Sequence, residues 1–510
     1  MQVTLIGVTV CALLLLIGRT PGASLIVALL ASSAFGSTSI ASLGGLGTPL
    51  IYIVFELVII LVVLLRRRFI DDLAHTFRLY PICWILLALL IYSAGSAVIL
   101  PRLFAGTTGA FVPVQGLISE VPLGPVPGNI AQSGYFVVGG LTFLAVCLLL
   151  AVREHEATAA HGGASGSSAA AGDGHLAMLL AIRKGFMFWI ILNTATGALD
   201  LLGKMAGGGD LMLPLRTAAY AFLTDTEHAG FFRIAGLYSE ASAFGAAALG
   251  GLAFSFTYWR ATRSRMALGL AIGLLTLTLL STSTTAYAGL AVMSAVAMGT
   301  VARSVLSGRL LHTDAGWIGL LLVVLAVVLT LLLVDSAAFD KIDTLLRVTI
   351  LEKSGSASGV ERAYWNQRSL DSFFTTSMLG IGLGSSRSSS WVIAVLSQLG
   401  LIGSLLIGVL VAALALPLRR HVWGDPPLGS EARSVVALHD SSRAMALAML
   451  LAATIGGGAA DPGILFFMAL ATVLGCRRYL ERVCKPAQPV EHLPLWSPRE
   501  HARGQIGQTG

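Results

Sequence analysis

Apolar runs of about 20 residues recur from one end of the chain to the other, continuous and not alternating. A segment surrounded by lipid has no water to satisfy its backbone N–H and C=O groups, so such runs form either helices or a closed barrel. Barrel strands alternate apolar and polar residues, and these runs do not. The expected fold is therefore all-α, a polytopic transmembrane helix bundle. Composition agrees: 12% of residues are charged, against about 25% in a typical soluble domain. Thirteen spans are expected, at 3–18, 22–40, 49–65, 81–100, 131–152, 183–202, 236–258, 266–281, 285–302, 316–335, 390–416, 444–459 and 463–476. The first run lacks a basic flank and a small-residue cleavage site, so it reads as a retained span.

A formal charge of +7 would suggest nucleic acid in a soluble chain. Here the basic residues cluster at the ends of spans and set orientation, so no nucleic-acid partner is expected. Arg66, Arg67 and Arg68 close the third span, and Arg260, Arg263 and Arg265 follow the seventh. Arg303 and Arg309, Arg419 and Arg420, and Arg477 and Arg478 follow the ninth, eleventh and thirteenth. Placing these clusters inside puts the N-terminus outside and the C-terminus inside. The five cysteines lie in spans or inner regions, so neither a disulfide nor a thiolate metal site is expected. The chain divides into an N-terminal bundle (1–182) carrying a Gly/Ala/Ser-rich linker (153–178), a central region (183–416), further helices (417–484) and a polar, disordered inner tail (485–510). The histidines of the linker, His155, His161 and His175, have no ligand spacing. Three outer segments are long: 101–130, a cap or re-entrant piece, and the charged loops 203–235 and 336–389.

Two stretches carry charge at the start of apolar helices. In 231–245 (FFRIAGLYSEASAFG), Arg233 and Glu240 stand nearly two helical turns apart, on one face. In 380–391 (GIGLGSSRSSSW), Arg387 follows Gly380, Gly382 and Gly384 and precedes Ser388, Ser389 and Ser390. Charge at membrane depth persists mainly where it meets a ligand or partner. Free N–H groups at a helix start attract anions, glycines let a backbone approach a ligand, and guanidinium forks match phosphate oxygens. Two arginines at two outer helix starts suit a membrane-bound diphosphate; the plainer alternative is that they anchor helices or pair with Glu240 and Asp371. Arg362 is a third candidate cation and Arg216 a weaker one. Tyr364 and Trp365 either stack on a sugar ring or anchor at the interface.

These residues resemble a known family. RIAGLYSEASAFG is similar to the R-x-x-G-L-x-S-E-x-S-x-F signature of the O-antigen ligase and Wzy-type polymerase superfamily. The stretch 361–403 resembles its second block: an Arg and a Trp, an amphipathic stretch, G-x-G-x-G, then a helix ending L-G-L-I-G. The polar break Ser281–Thr285 is a further likeness, and together the similarity covers roughly 183–416. The resemblance implies a GT-C-like membrane glycosyltransferase of a bacterial inner membrane, inverting, free of metal and cofactor, with its active site facing the periplasm. It implies undecaprenyl-diphosphate-linked oligosaccharide as donor and acceptor, with a chain-length regulator and export machinery as partners. The ligases carry a histidine near the position of Ser389. Its absence favours a polymerase that builds exopolysaccharide, capsule or O-antigen over a ligase. On that reading Arg233, Arg387 and Glu240 are catalytic, with Glu240 either accepting the acceptor's proton or pairing with an arginine. Arg362, Arg216, Tyr364, Trp365, Gly382, Gly384 and Ser388 bind substrate, and Asp371 is an alternative base. A lipid-linked oligosaccharide flippase is the competing class. No paired broken spans support a transporter, and no P-loop, Asp-x-Asp, HExxH or G-x-S-x-G motif stands in a convincing context.

Overall fold

The computed structural model describes residues 2–17, 23–43, 47–114, 117–162, 174–207, 210–218, 227–228, 231–307, 355–418 and 429–484. Fourteen α-helices occupy most of them: α1 (Leu5–Ile17), α2 (Ala23–Ser32), α3 (Ile51–Leu64), α4 (Phe69–Leu79), α5 (Ile82–Leu103), α6 (Pro127–Gly162), α7 (Gly174–Met205), α8 (Ala241–Thr262), α9 (Arg265–Leu280), α10 (Thr284–Leu306), α11 (Ala357–Thr375), α12 (Trp391–Ala415), α13 (Ser430–Gly456) and α14 (Ile464–Cys484). Six short strands form three antiparallel pairs: β1 (Gln2–Val3) with β2 (Ala41–Ser42), β3 (Gly109–Val114) with β4 (Leu117–Pro122), and β5 (Glu227–His228) with β6 (Phe231–Phe232). Among the described residues, α5, α6, α7, α8, α12 and α13 are long and apolar enough to cross a bilayer. The chain is a multi-pass helical membrane protein.

Every expected span falls on a helix except 316–335, which lies outside the described residues. Several of those helices are shorter than expected. At about 1.5 Å per residue, α2 rises only about 15 Å, half of a hydrocarbon core. The expected span 22–40 is therefore corrected. Its helix ends at Ser32, where the hydroxyls of Ser32 and Ser33 donate back to the carbonyls of Leu29 and Leu30. Residues 33–40 continue outside any helix, tied to the loop after α7 by Thr38 Oγ1 donating to the Leu215 carbonyl at 2.6 Å and Ser39 to the Thr217 carbonyl at 3.0 Å. The expected linker is also narrower, because α6 continues to Gly162 and α7 already begins at Gly174. Within the segment 101–130, expected as a cap or re-entrant piece, the structure has the β3–β4 hairpin, with Gly109 opposite Pro122 and Val114 opposite Leu117. The tail 485–510 and residues 336–354 of the third outer loop lie outside the described residues.

Helix α8 is the axis of the bundle, packing against α13, α9, α10 and α7. Its sequence explains the intimacy. Gly245 lies against Ala286 and Ser283, Gly250 against Met449, and Gly251 against Leu274 and Ile190. Small residues let helix backbones approach where lipid gives no hydrophobic drive to associate. One core joins residues from all three chain segments: α5 packs on α12, and α14 on α6, α7 and α13. A side chain at Gly251 would begin 2.7 Å from Leu274 Cδ1, whereas the same atom at Gly408 meets open space. Gly251→Leu should therefore cost about 1–3 kcal/mol by overpacking and lower the unfolding temperature in detergent. Gly408→Leu should leave it unchanged.

Candidate functional site

The segment that carries Arg233 is held from behind by a buried charge cluster on and beside α7. Asp200 Oδ2 accepts the N–H groups of Ala235 (2.8 Å) and Gly236 (3.0 Å). Lys204 pairs with Asp200 at 3.1 Å and donates to the Arg233 carbonyl at 2.7 Å. Arg216, whose side chain is fully buried, pairs with Asp210 and Asp200 and donates to the Gly236 carbonyl. Gly236 turns at φ +53° inside this cage. The backbone of 233–236 is thus pinned by three charged side chains, with Asp210 bracing one of them, and Arg233 projects from it. Its Nε is buried with no hydrogen-bond partner among the described residues. Burial holds the Arg233 guanidinium below its usual pKa, Glu240 opposes that shift, and the charge of Arg362 adds to it. Arg233, Glu240 and Arg362 therefore share one electrostatic neighbourhood. Glu240 is the N-cap residue of α8, in extended conformation, and its Oε1 accepts from Ser242 Oγ at 2.6 Å.

Arg362 belongs to α11, an amphipathic helix started by Ser356, whose hydroxyl accepts from the Gly359 N–H. One face of α11 sits on the β3–β4 hairpin. Tyr364 Oη donates to Glu120 at 2.6 Å, Arg368 forks onto the same carboxylate at 2.6 and 2.9 Å, and Ser372 meets Thr108. Arg362, Trp365, Asn366 and Ser369 follow helical spacing along another face. Arg387 lies over the Trp365 ring, 5.5 Å from its centroid, and Asn366 Oδ1 accepts the Ser389 N–H at 2.8 Å. Ser369 Oγ is buried without a partner among the described residues. Helix α11 thus links the two arginine stretches, with Arg233 bordering Arg362 and Arg387 stacked on Trp365. Arg387 is the one exposed residue in the otherwise buried run 381–390. Its stem runs past Gly458, where any Cβ would come within 3.0 Å of the Arg387 Nε.

The glycine loop has a different role from the expected one. Its amides are bonded internally: Gly380 to Thr376 Oγ1, Gly382 to the Gln398 carbonyl, Gly384 to Gln398 Oε1, Arg387 to the Phe111 carbonyl and Ser388 to the Gly458 carbonyl. Gly382 (φ +92°) and Gly384 (φ +79°) are glycines because a Cβ would lie 2.7 Å from the Ser96 carbonyl oxygen and 2.3 Å from that of Gly128. Of the expected substrate-binding residues, Gly382 and Gly384 thus serve close packing and Ser388 is buried and bonds to the Ser390 carbonyl, while Arg387 is the exposed residue of the loop. Arg216 is likewise a buried strut, its charge matched by two carboxylates. Tyr364 is committed to Glu120, and Asp371 is an exposed neighbour of Arg368 at 3.7 Å. The residues that gather are Arg233, Glu240, Arg362, Trp365 and Arg387. Asp200, Lys204, Asn366, Ser369 and the hairpin went unpredicted. The Ala-Leu-Asp-Leu-Leu-Gly-Lys ending of α7, an acid and a base one turn apart in an apolar helix, was the available sign of the first two.

No family model, no curated protein and no solved structure matches the chain. The fold and these contacts define a multi-pass helical membrane protein with a cationic cluster at one end of its bundle.

Two expected outcomes follow from the supports. Asp200→Asn leaves Lys204 and Arg216 short of a buried countercharge. It should cost about 3 kcal/mol or more, seen as a lower unfolding temperature and as new reactivity of a cysteine introduced at Ala235. The Glu120 carboxyl is held below its usual pKa, chiefly by the Tyr364 hydrogen bond and also by Arg368, against a smaller cost of burial. Stability from this contact is complete above the ordinary value of 4.5 and is lost as pH falls through the lowered one. Glu120→Gln should flatten that acid limb of the unfolding profile.

Proposed function

We propose that this chain is an integral membrane glycosyltransferase that polymerises undecaprenyl-diphosphate-linked repeat units at the outer face of a bacterial inner membrane. The observation that carries the reading is that α11 carries both Arg362, whose charge acts on Arg233, and Trp365, over whose ring Arg387 lies, beside the starts of α8 and α12. Three cations with fewer carboxylates beside them among the described residues suit a multiply charged anion. The basic clusters Arg66–Arg68, Arg260–Arg265 and Arg477–Arg478 lie at the other end of their helices, and the usual charge asymmetry supports an outer location for the arginine site in this reading.

In the proposed reaction the acceptor hydroxyl of one lipid-linked unit attacks the anomeric carbon of another. The bond from that carbon to the diphosphate oxygen breaks with inversion, and undecaprenyl diphosphate leaves. Negative charge grows on the leaving group in the transition state, where preorganised guanidinium forks stabilise it. Glu240, with Ser242 orienting one oxygen, accepts the hydroxyl proton and passes it to water. Trp365 holds Arg387 in register through its ring face. The absence of histidine at Ser389 favours polymerisation over ligation to a second kind of acceptor.

The test is polymer formation from purified lipid-linked repeats. Arg233→Lys and Arg387→Lys keep the charge but lose the fork, and each should slow chain growth by roughly a hundredfold in a folded protein. Near-normal product length in either variant overturns the proposal. Glu240→Gln should cost far more than Asp371→Asn; equal losses remove Glu240 as base. EDTA should leave the rate unchanged, and a strict divalent-ion requirement would contradict this chemistry.

A further inference from the structure

The opposite end of the bundle holds a second cationic feature that the transfer reaction does not use. Asn129, near the start of α6, bonds to the arginine-bearing loop through the Leu383 carbonyl and Ser385. From Asn129 to His155 the same helix spans about 39 Å. There, between the end of α3, the short helix α4 and α6, lies an open cleft of about 630 Å³ lined by Arg66, Arg67, Arg68, Asp71, Asp72, His75, Val152 and His155.

Charge in this cleft is only partly matched from within. Arg66 pairs with Asp72 at 2.9 Å. The side chains of Arg67 and Arg68 are exposed and have no ion pair or hydrogen-bond partner among the described residues, while Asp71 supplies one further carboxylate. The rings of His75 and His155 stand 5.6 Å apart across the junction of α4 and α6. An arginine pair with imidazoles nearby is a set of N–H donors for tetrahedral anionic oxygens.

The rim of the cleft is apolar. Leu64, Leu65 and Ile70 are 53%, 74% and 70% exposed, and Trp84, packed edge-on against Phe77 beneath α4, is 59% exposed. Exposed aliphatic side chains next in sequence to the unpaired arginines, with an exposed indole packed against α4, match an amphiphile with an anionic head and hydrocarbon tails, and they do not match a soluble anion. We propose that this cleft is a binding site for the phosphodiester headgroup of an anionic phospholipid, held by Arg67 and Arg68 with the histidines, its acyl chains lying along α3 and α5.

The test uses the full-length protein in neutral detergent and compares phosphatidylglycerol, phosphatidylcholine of the same chains and inorganic phosphate. Phosphatidylglycerol alone should raise the unfolding temperature, by about 3 °C or more. Arg67→Gln with Arg68→Gln should abolish most of that rise, while the paired lysine substitutions keep at least half of it. Equal stabilisation by phosphatidylcholine overturns the proposal, since the headgroup charge would then be irrelevant. Equal stabilisation by phosphate alone overturns the lipid as ligand, and a full rise in the double glutamine variant overturns the residues. Native mass spectrometry of the wild-type protein gives a reading independent of any variant. Phosphatidylglycerol should be retained over phosphatidylcholine at equal mole fraction, and equal retention rejects the site. None of these readouts depends on glycan transfer.

Discussion

A charge inside an apolar bundle must find its opposite nearby, and the buried carboxylate of Asp200 is where that constraint shapes this protein most. Its two oxygens hold Lys204, Arg216 and the N–H groups of Ala235 and Gly236. Removing one member of such a set strands the others without water, so the whole cluster behaves as a single fastening. What it fastens is the turn from which Arg233 projects. The cationic end of the molecule thus owes its geometry to charges that are themselves fully matched.

The second fastening is made of backbone. Between α11 and α12 the loop bonds its own amides to Gln398, Phe111, Gly458 and Asn366, and glycines at 382 and 384 allow it to press against the ends of α5 and α6. Arg387 is the residue this loop presents to the outside. Helix α11 brings the two fastenings together because its other face is docked on the β3–β4 hairpin through Glu120. Behind them, the glycine and alanine surface of α8 draws α13 close, so the turn after α13 can reach Arg387 through Gly458. In the proposed reading, Arg233, Arg362 and Arg387 act together because their mutual repulsion is opposed by supports that cannot relax independently.

Much of the fold was legible in the chain, for a plain reason: apolar runs near membrane length have few ways to satisfy their backbone. The start of α8 after Glu240 and of α12 after Ser390 fell within a few residues of the expected edges. The failures share a cause as well. At 22–40, apolar composition suggested a span, but Ser32 and Ser33 turn back on the helix and the rest of the stretch bonds to residues some 180 positions away. At Arg216 and Gly384 the residue type suited a phosphate, yet its partners are Asp210 and the backbone of Gly128, neither of which local spacing can reveal.

Composition and periodicity alone determined that this is a multi-pass helical membrane protein, because hydrogen bonding in lipid is a local matter settled within each segment. They also marked 233–240 and 380–391 as the places where polarity is out of keeping with its surroundings. Which arginines stay available and which serve as struts was decided only by tertiary structure. Arg216 and Arg387 are the same side chain at the same kind of boundary, and they differ because one is met by two carboxylates brought from elsewhere in the chain while the other is met by the face of Trp365 and an opening. Pairing between distant residues follows from how the helices pack, and no single segment carries that information.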